Sequence, residues 1–464
     1  MQNYKQQFKG KKITIMGLGL LGRGIGDTIF LAECGADLLV TDLKTKEQLT
    51  TPLKVLSKYK NIQYVLGEHR IKDFREKDMI IRAAVVPYDS LYIREARKNN
   101  IPIEMDVSLL IKSAPKITVI GVTGTRGKSM TTTLIYKILK DNEKFLGKNV
   151  HIGGNFRDIA TLPLLKKIKK GDILVCELDS WQLQGFGEAK VSPNISVFTT
   201  FMPDHMNYYK NDMKRYFEDK TNIYKYQKKE DVLIILPEMK KLINENDVMG
   251  KYIVAKSDNI FDWEFIVPGN YNRDNLACAV EVSKLFNIPE KNIKKAVANF
   301  RGLEGRMQLL KVYKGIKIYN DNNATTPEAT TVGIRALANI KKDDKGNHTS
   351  NLILICGGAD KNLPVENLIK TINEYCKVVV MIPGTGTDRL IGKVPNKSKE
   401  IIGNNKLSIK SQIIKNLDGI VKTALEYAKK GDIILFSPAF ASFGMFNNEY
   451  ERNDLFIKII KKLK

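Results

Sequence analysis

Ile117-Thr-Val-Ile-Gly-Val-Thr-Gly-Thr-Arg-Gly-Lys-Ser-Met-Thr-Thr-Thr133 is the stretch from which the rest of the chain can be read. A β-branched apolar run opens it, three glycines follow, and Gly127-Lys128-Ser129 leads into a helical pattern from Thr131 to Leu139. This order predicts a strand, a phosphate-cradling loop and a helix. Gly124 and Gly127 let the backbone N–H groups of the loop, that of Thr125 among them, converge on phosphate oxygens. The helix N-terminus adds its positive dipole end. Lys128 is placed to neutralise β/γ-phosphate charge, and the Ser129 hydroxyl to ligate Mg²⁺. The full motif wants a glycine five positions before Gly127, where this chain has Val122. The plainer alternative is a glycine-rich turn with an incidental Lys-Ser. The flanking strand and helix favour a triphosphate site.

At 464 residues the chain has room for two to four domains, each with its own core. A hydrophobic fraction of 43% is ordinary for a globular protein, and no apolar run is long enough to predict a membrane span. Lys9, Lys11 and Lys12 before an apolar run mimic a secretion leader. Gly17, Gly19, Gly22, Arg23 and Gly24 interrupt that run, however, so strand–turn–helix fits better. Five cysteines without paired spacing read as buried thiols in a reducing cytoplasm. Four histidines argue against a zinc cluster. The net charge of +24 suggests nucleic acid, but the lysines are spread along the whole chain without an arginine-rich arm. Small-molecule partners and no nucleic acid are therefore expected.

Residues 1 to about 112 alternate strand and helix patterns. Lys12–Met16 leads into Gly17-Leu-Gly19-Leu20-Leu-Gly22-Arg-Gly24, a helical pattern follows, and a second strand ends at Asp42. This is a nucleotide-binding βαβ pattern, although a tight turn without ligand would read the same. Asp42 could hold a ribose hydroxyl or merely cap the loop. Pro115 marks a boundary. Beyond it, Asp172–Leu178 is a buried strand with Glu177 near the end where P-loop folds place metal-reaching carboxylates. His205, just after the strand Ile195–Thr200, reads equally as a metal ligand or a bland loop histidine. Asn272 and Asn275 open an apolar helix and suit either a purine edge or capping. The last segment offers strands at Lys317–Asp321, Leu352–Cys356, Val378–Ile382 and Asp432–Phe436, a parallel pattern. Lys341–Ser350 reads as a polar loop.

Taken together, Val122 to Ser129, Gly153-Gly-Asn155, Glu177 with Ser180-Trp-Gln-Leu183, Asp204-His205, Tyr216 to Lys220, Asn272 with Asn275, and Arg306 resemble the Mur ligase family, nearly end to end. The Gly-Leu-Gly start and Ser437-Pro-Ala-Phe-Ala-Ser442 resemble its D-glutamate-adding branch most. The resemblance implies an α/β protein of three domains. These are a Rossmann-like N-terminal UDP-binding domain (1–114), a central P-loop ATPase-type domain with a mostly parallel sheet (115–302), and a Rossmann-like C-terminal amino-acid-binding domain (303–464). It implies ATP-dependent amide formation through an acyl phosphate, from UDP-N-acetylmuramoyl-L-alanine and D-glutamate, in peptidoglycan synthesis, by a cytoplasmic monomer. Two Mg²⁺ are implied, one on Ser129 and Glu177, the other on His205 and a carbamylated Lys220. Lys128 completes the catalytic set. Gly124, Thr125, Gly127, Asn272, Asn275, Arg306 and Asp321 fall to ATP. Gly19, Leu20 and Asp42 fall to UDP, Asn155 and Asp179 to the acyl side, and Thr325, Lys361 and Ser442 to the D-glutamate carboxylates.

Several positions depart from the family pattern. Asp179 stands where serine is usual, and Asn322-Asn323 replace Ser-Lys, removing a cation near the reacting phosphate. Tyr271 and Gly305 replace histidines, Leu21 replaces threonine, and Gly444 replaces aspartate. The rivals are another Mur ligase or a folylpolyglutamate synthase-like enzyme, a basic P-loop ATPase bound to nucleic acid, and an NAD oxidoreductase resting on the first glycine loop alone.

Overall fold

Strands apolar on both faces can be buried only in a sheet covered by helices on each side. Ile173–Glu177, Leu352–Gly357 and Val378–Ile382 are buried at every position. The computed structural model describes residues 4–19, 22–84, 86–156, 159–338, 340–342, 348–391, 401–402 and 416–463. Leu20 and Leu21 lie outside the described residues. The strands, in chain order, are β1 (Lys12–Met16), β2 (Asp37–Asp42), β3 (Ile62–Leu66), β4 (Met79–Arg82), β5 (Ile103–Glu104), β6 (Thr118–Thr123), β7 (Val150–Gly154), β8 (Ile173–Glu177), β9 (Ile195–Phe198), β10 (Val232–Ile235), β11 (Lys251–Val254), β12 (Gln308–Tyr313), β13 (Ile316–Asn320), β14 (Ile340–Lys342), β15 (His348–Ser350), β16 (Leu352–Gly357), β17 (Val378–Ile382), β18 (Ile401–Ile402) and β19 (Ile433–Phe436).

The first sheet has the order β3-β2-β1-β4-β5, all parallel. That is the doubly wound order, whose ligands bind beyond the carboxyl ends of β1 and β4. The second, β11-β10-β9-β6-β8-β7, is also wholly parallel, with β6 between β8 and β9. The third is β12-β13-β19-β16-β17-β18, parallel except for β12, which runs antiparallel to β13. The α/β architecture expected from the sequence is therefore present, with β12 an addition to the purely parallel pattern. A correction concerns 341–350, expected as a loop: β14 and β15 pair there as an antiparallel hairpin, and residues 343–347 lie outside the described set.

The chain divides into two compact units, Met1–Asp262 with Asp274–Val297, and Trp263–Arg273 with Ala298–Lys464. The first holds two sheets, joined by buried polar contacts. Asp27 Oδ1 accepts from the Leu162 amide at 2.8 Å, and Thr161 Oγ1 donates to Asp106 Oδ2 at 3.1 Å. Burial and the neighbouring Asp106 hold the Asp27 carboxyl well above its usual range. Arg82, 2% exposed at the end of β4, donates to Gln184 Oε1 at 3.0 Å, and Gln184 Nε2 reaches Asp219 Oδ2 at 2.7 Å. A Cβ on Gly26 would sit 2.4 Å from that of Ala160, so only glycine permits this approach of the two layers.

The second unit is built on stacked aromatics: Phe436 of β19 and Phe456 of the helix Glu449–Lys462 lie with ring centroids 4.0 Å apart, both fully buried. Phe456→Ala removes one side of the stack and leaves a cavity, so we expect a loss of about 3–5 kcal/mol in unfolding free energy. Urea denaturation followed by tyrosine fluorescence checks it. A change below about 1 kcal/mol would mean that the stack is not central to this unit.

Candidate active site

The loop after β6 is shaped by two glycines in conformations closed to other residues. Gly124 has φ 145°, and a Cβ there would fall 2.0 Å from Thr199 Oγ1. Gly127 has φ 88°, and its Cβ would meet Asn275 Oδ1 at 2.4 Å. Such tight backbone packing brings the loop to the start of the helix Lys128–Asp141, where the dipole favours anions. One correction follows: the Thr125 amide, expected to face phosphate, and the Arg126 amide both donate to Thr200, the latter to its Oγ1 at 2.9 Å. The loop is held from behind: the Thr125 amide donates to Thr200 O at 2.7 Å and Thr125 Oγ1 to Met202 O at 3.1 Å. Ser129 is the second residue of that helix and is partly exposed. Lys128 folds back, its Nζ donating to the carbonyls of Gly124 and Thr125, both at 3.0 Å.

A second lysine reaches the same carbonyl. Lys220, 1% exposed in the helix Met213–Thr221, donates to Gly124 O at 2.9 Å. Burial, reinforced by the charge of Lys128, holds its ammonium well below the usual lysine range, against the pull of Asp179, Asp204 and Glu177. Its Nζ also stands 5.0 Å from the Tyr216 ring centroid. Glu177 ends β8 beside Val122 of β6 and is 3% exposed. Asn155 is set against it: the Asn155 amide donates to Glu177 O at 2.9 Å, and Nδ2 to Oε1 at 3.5 Å. His205 adopts φ 55°, a strained value for a non-glycine residue. Its ring lies against Trp181, centroids 4.5 Å apart. Burial lowers its pKa, Asp204 and Asp179 oppose, and Lys128 and Lys220 lower it further, so it shares one field with both lysines. The structure thus brings Lys128, Glu177, His205 and Lys220 to one place at the carboxyl ends of β6, β8 and β9.

Other predicted residues have structural work of their own. Asp179 caps the helix Ser180–Ala189, its Oδ1 accepting from the Gln182 amide at 2.7 Å. Asn275 Oδ1 accepts from Thr131 Oγ1 at 3.2 Å. Of the two readings of Asp42, the structure supports the cap. Its Oδ2 accepts from the amides of Leu18 at 2.9 Å and Gly19 at 3.2 Å, and Oδ1 from Lys44 at 2.9 Å. The carboxylate pins the glycine loop at the end of β1 from beneath.

In the second unit, Asn272 Nδ2 donates to Pro268 O at 2.6 Å. Arg306 is exposed. Asp321 is buried between the Met307 amide, 3.1 Å from Oδ1, and Ser437 Oγ, 3.0 Å from Oδ2. The exposed Lys361 donates to Thr325 Oγ1 at 3.0 Å, while Ser442 is buried in the loop after β19. Sequence reasoning passed over Arg82, Gln184 and Asp219, which back onto Lys220, and Arg452. An arginine closing the apolar run Met79-Ile-Ile-Arg82 is the one signal that could have found the first of these.

Among the described residues no three His, Cys, Asp or Glu side chains cluster as a metal cage. A divalent cation at the loop would instead rest on Ser129, Glu177 and phosphate oxygens, a donor set of hard oxygens that suits Mg²⁺. The buried Glu177 beside the glycine cradle fits that role.

Burial pushes the Asp321 carboxyl up from 3.8 to about 7, outweighing its two hydrogen bonds. A folded pKa above the unfolded one makes the stability this group contributes fully present below 3.8 and lost as pH rises through about 7. Asp321→Asn can keep both hydrogen bonds without ionising. We therefore expect the variant to gain stability relative to wild type as pH passes from about 5 to 8, read from urea midpoints. Parallel pH curves for the two proteins would refute the buried, raised carboxyl.

Comparison with known proteins agrees with this geometry. Residues 122–297 match the Mur ligase middle domain and 305–440 the Mur ligase glutamate ligase domain. A UDP-N-acetylmuramoylalanine--D-glutamate ligase of Roseiflexus sp. (strain RS-1) is 32% identical over 98% of this chain and 99% of its own. Ligases of the same name from Borreliella afzelii (31%, 98% of this chain and 99% of that one) and Clostridium acetobutylicum (32%, 98% and 97%) are similar to the same extent. In fold the chain is similar to the UDP-N-acetylmuramate-alanine ligase MurC of Thermotoga maritima, with TM-score 0.56 and 16% identity over 98% of this chain and 100% of that one. It is likewise similar to the MurF ligase of Thermotoga maritima in complex with ADP, at 0.55 and 17% over 99% and 97%. A chain that matches these ligases from end to end, with its lysines and acids gathered on the glycine loop, belongs to the Mur ligase family.

Proposed function

We propose that the protein is an ATP-dependent ligase joining D-glutamate to the L-alanyl carboxylate of UDP-N-acetylmuramoyl-L-alanine, in peptidoglycan precursor synthesis. A carboxylate in water does not react with an amine until one of its oxygens becomes a leaving group. Its attack on the γ-phosphorus of ATP forms an acyl phosphate and expels ADP. The amine of D-glutamate then adds to the acyl carbon, loses a proton, and inorganic phosphate departs as the amide forms. The protein's share is positioning and charge neutralisation.

The observation that carries this reading is the convergence of Lys128 and Lys220 on the Gly124 carbonyl, with Glu177 and His205 in the same electrostatic field. Lys128 swings from its carbonyls to the β/γ-phosphates, within the cradle of Gly124, Thr125 and Gly127. Ser129 and Glu177 would hold one Mg²⁺, and His205 with Lys220 a second; when bound they offset the charge that builds on the transferred phosphoryl group. Lys220 suits that task only once modified. Its environment favours the neutral amine, which adds to CO₂, releases a proton and becomes a carbamate, an oxygen ligand. Gly19, Leu20 and Asp42 are assigned to the UDP end, with Asp42 acting by holding the loop. Asn155 is assigned to the acyl side, and Asp179 to the charge around it. Asn272, Asn275, Arg306 and Asp321 are assigned to ATP, and Thr325, Lys361 and Ser442 to D-glutamate. The division at 1–114, 115–302 and 303–464, one sheet in each, belongs to the same proposal, as do a cytoplasmic monomer and the absence of a nucleic-acid partner. No helix among the described residues is long and apolar enough to cross a membrane.

The test is a substrate panel. With ATP, Mg²⁺ and UDP-N-acetylmuramoyl-L-alanine, phosphate release should require D-glutamate and ignore L-alanine, L-lysine and added RNA. Productive use of another amino acid or a folate, or stimulation by nucleic acid, would replace this assignment. Lys128→Ala should lower kcat by about 10²–10³-fold, the cost of losing one aimed charge at the transition state. Lys220→Arg, which stays cationic and cannot be carbamylated, should be similarly impaired; full activity in that variant would remove carbamylation from the mechanism.

A further inference from the structure

The second unit contains a buried cation to which neither the glycine-loop chemistry nor the expected amino-acid clamp assigns a role. Arg452 lies in the first turn of the last helix and is 0% exposed. Its Nε donates to Asn322 Oδ1 at 2.8 Å, Nη2 to Asn322 O at 3.1 Å, and Nη1 to Phe440 O at 3.3 Å. All three acceptors are neutral. Among the described residues no carboxylate pairs with it directly, and the Glu449 charge acts only at longer range. Burial of a guanidinium with dipoles alone is costly, so such a group is retained where something else needs it.

What it touches indicates what needs it. Asn322 is three residues before Thr325, and Phe440 two before Ser442, so one side chain ties the loop after β13 to the loop after β19. The two are stitched further by the Ala439 amide donating to Ala324 O at 2.8 Å. Ala359 and Ala441 exchange amide bonds at 3.0 Å, which brings in the loop after β16 that carries Lys361. Lys361 bonds Thr325 across these loops; burial lowers its pKa, the Glu449 carboxylate opposes this, and Arg452 lowers it further, so all three charges share one field. Two cations thus share the end of the site formed by Thr325, Lys361 and Ser442.

We propose that Arg452 is a positioning residue that sets the spacing of these three loops and, through its buried charge, gives the site its preference for an amino acid with a second carboxylate. The inference rests on the proposed function and goes beyond it by naming what fixes the acceptor's class. It also accounts for Asn322 in place of the family's usual serine, because the longer amide reaches the guanidinium. Only a planar fork can serve both loops at once; the single point charge of lysine cannot.

Steady-state kinetics on the full chain distinguish these roles. Arg452→Lys keeps the charge and loses the fork, and should raise KM for D-glutamate about tenfold while KM for ATP stays within about twofold. Asn322→Asp keeps the acceptor and places a neutralising carboxylate on Arg452, while giving up the Nδ2 donations to Glu449 O at 3.0 Å and Asn323 Oδ1 at 3.3 Å. If the charge selects the substrate, this variant should also raise KM for D-glutamate about tenfold, with KM for ATP within about twofold of wild type. If Arg452 were merely structural, Asn322→Asp would leave that KM unchanged, and this result would overturn the proposal. Should Arg452→Lys fail to fold, Asn322→Asp decides alone. A wild-type enzyme indifferent to D-glutamate would instead sink the proposed function, and this inference with it. An active wild type whose folded variants keep its KM would sink only the inference.

Discussion

Two lysine side chains bonded to one carbonyl oxygen form the constraint around which the first unit is built. Lys128 and Lys220 both donate to Gly124 O, one from the helix that follows the loop and one from a helix far along the chain. Burial and the neighbouring Lys128 charge both press Lys220 towards its neutral form. The arrangement persists because Glu177, Asp179 and Asp204 surround it and because the fold leaves Lys220 nowhere else to go. Glycine at 124 and 127 is the precondition, since any side chain there would strike Thr199 or Asn275.

The surroundings of this cluster are rigid for reasons that lie in the neighbouring sheet. Arg82 at the end of β4 holds Gln184, Gln184 holds Asp219, and Asp219 precedes Lys220 in the chain. Tyr209 adds its hydroxyl to Asp219 at 3.0 Å. A polar chain fully satisfied in this way specifies one geometry, where an apolar interface of the same area would tolerate several. Asp42 does the same for the first glycine loop. Its carboxylate accepts from the amides of Leu18, Gly19 and Lys44 and so holds the loop in place.

The second unit repeats the device with a cation in place of an anion. Arg452 reaches loops after two strands, as Asp42 reaches two amides of one loop, and both are buried charges whose partners are backbone or amide groups. In each case a buried charge bonded mainly to backbone or amide groups organises a strand-end loop where ligands of doubly wound sheets bind.

Much of this was legible in the chain. Strand, glycine loop and helix around Lys128 follow from local rules: β-branched residues extend, glycine supplies positive φ, and apolar spacing marks the helix face. Val378–Ile382 was readable to the residue, and Glu177 at a strand end pointed to the ligand edge. Lys220, one among many lysines, became visible only through family resemblance, because nothing near it in sequence announces burial beside Gly124. The hairpin at 340–350 was misread because its polar residues pair through the backbone, which composition does not report. Asp179 reads from the sequence as an added charge, whereas its Oδ1 caps a helix, and of the two readings open for Asp42 the loop amides favour the cap. The order of residues therefore determined the elements, the loop chemistry and the family. Tertiary structure alone decided which distant charges meet, because burial and proximity arise from sheet order and helix packing, and a linear pattern carries no record of either.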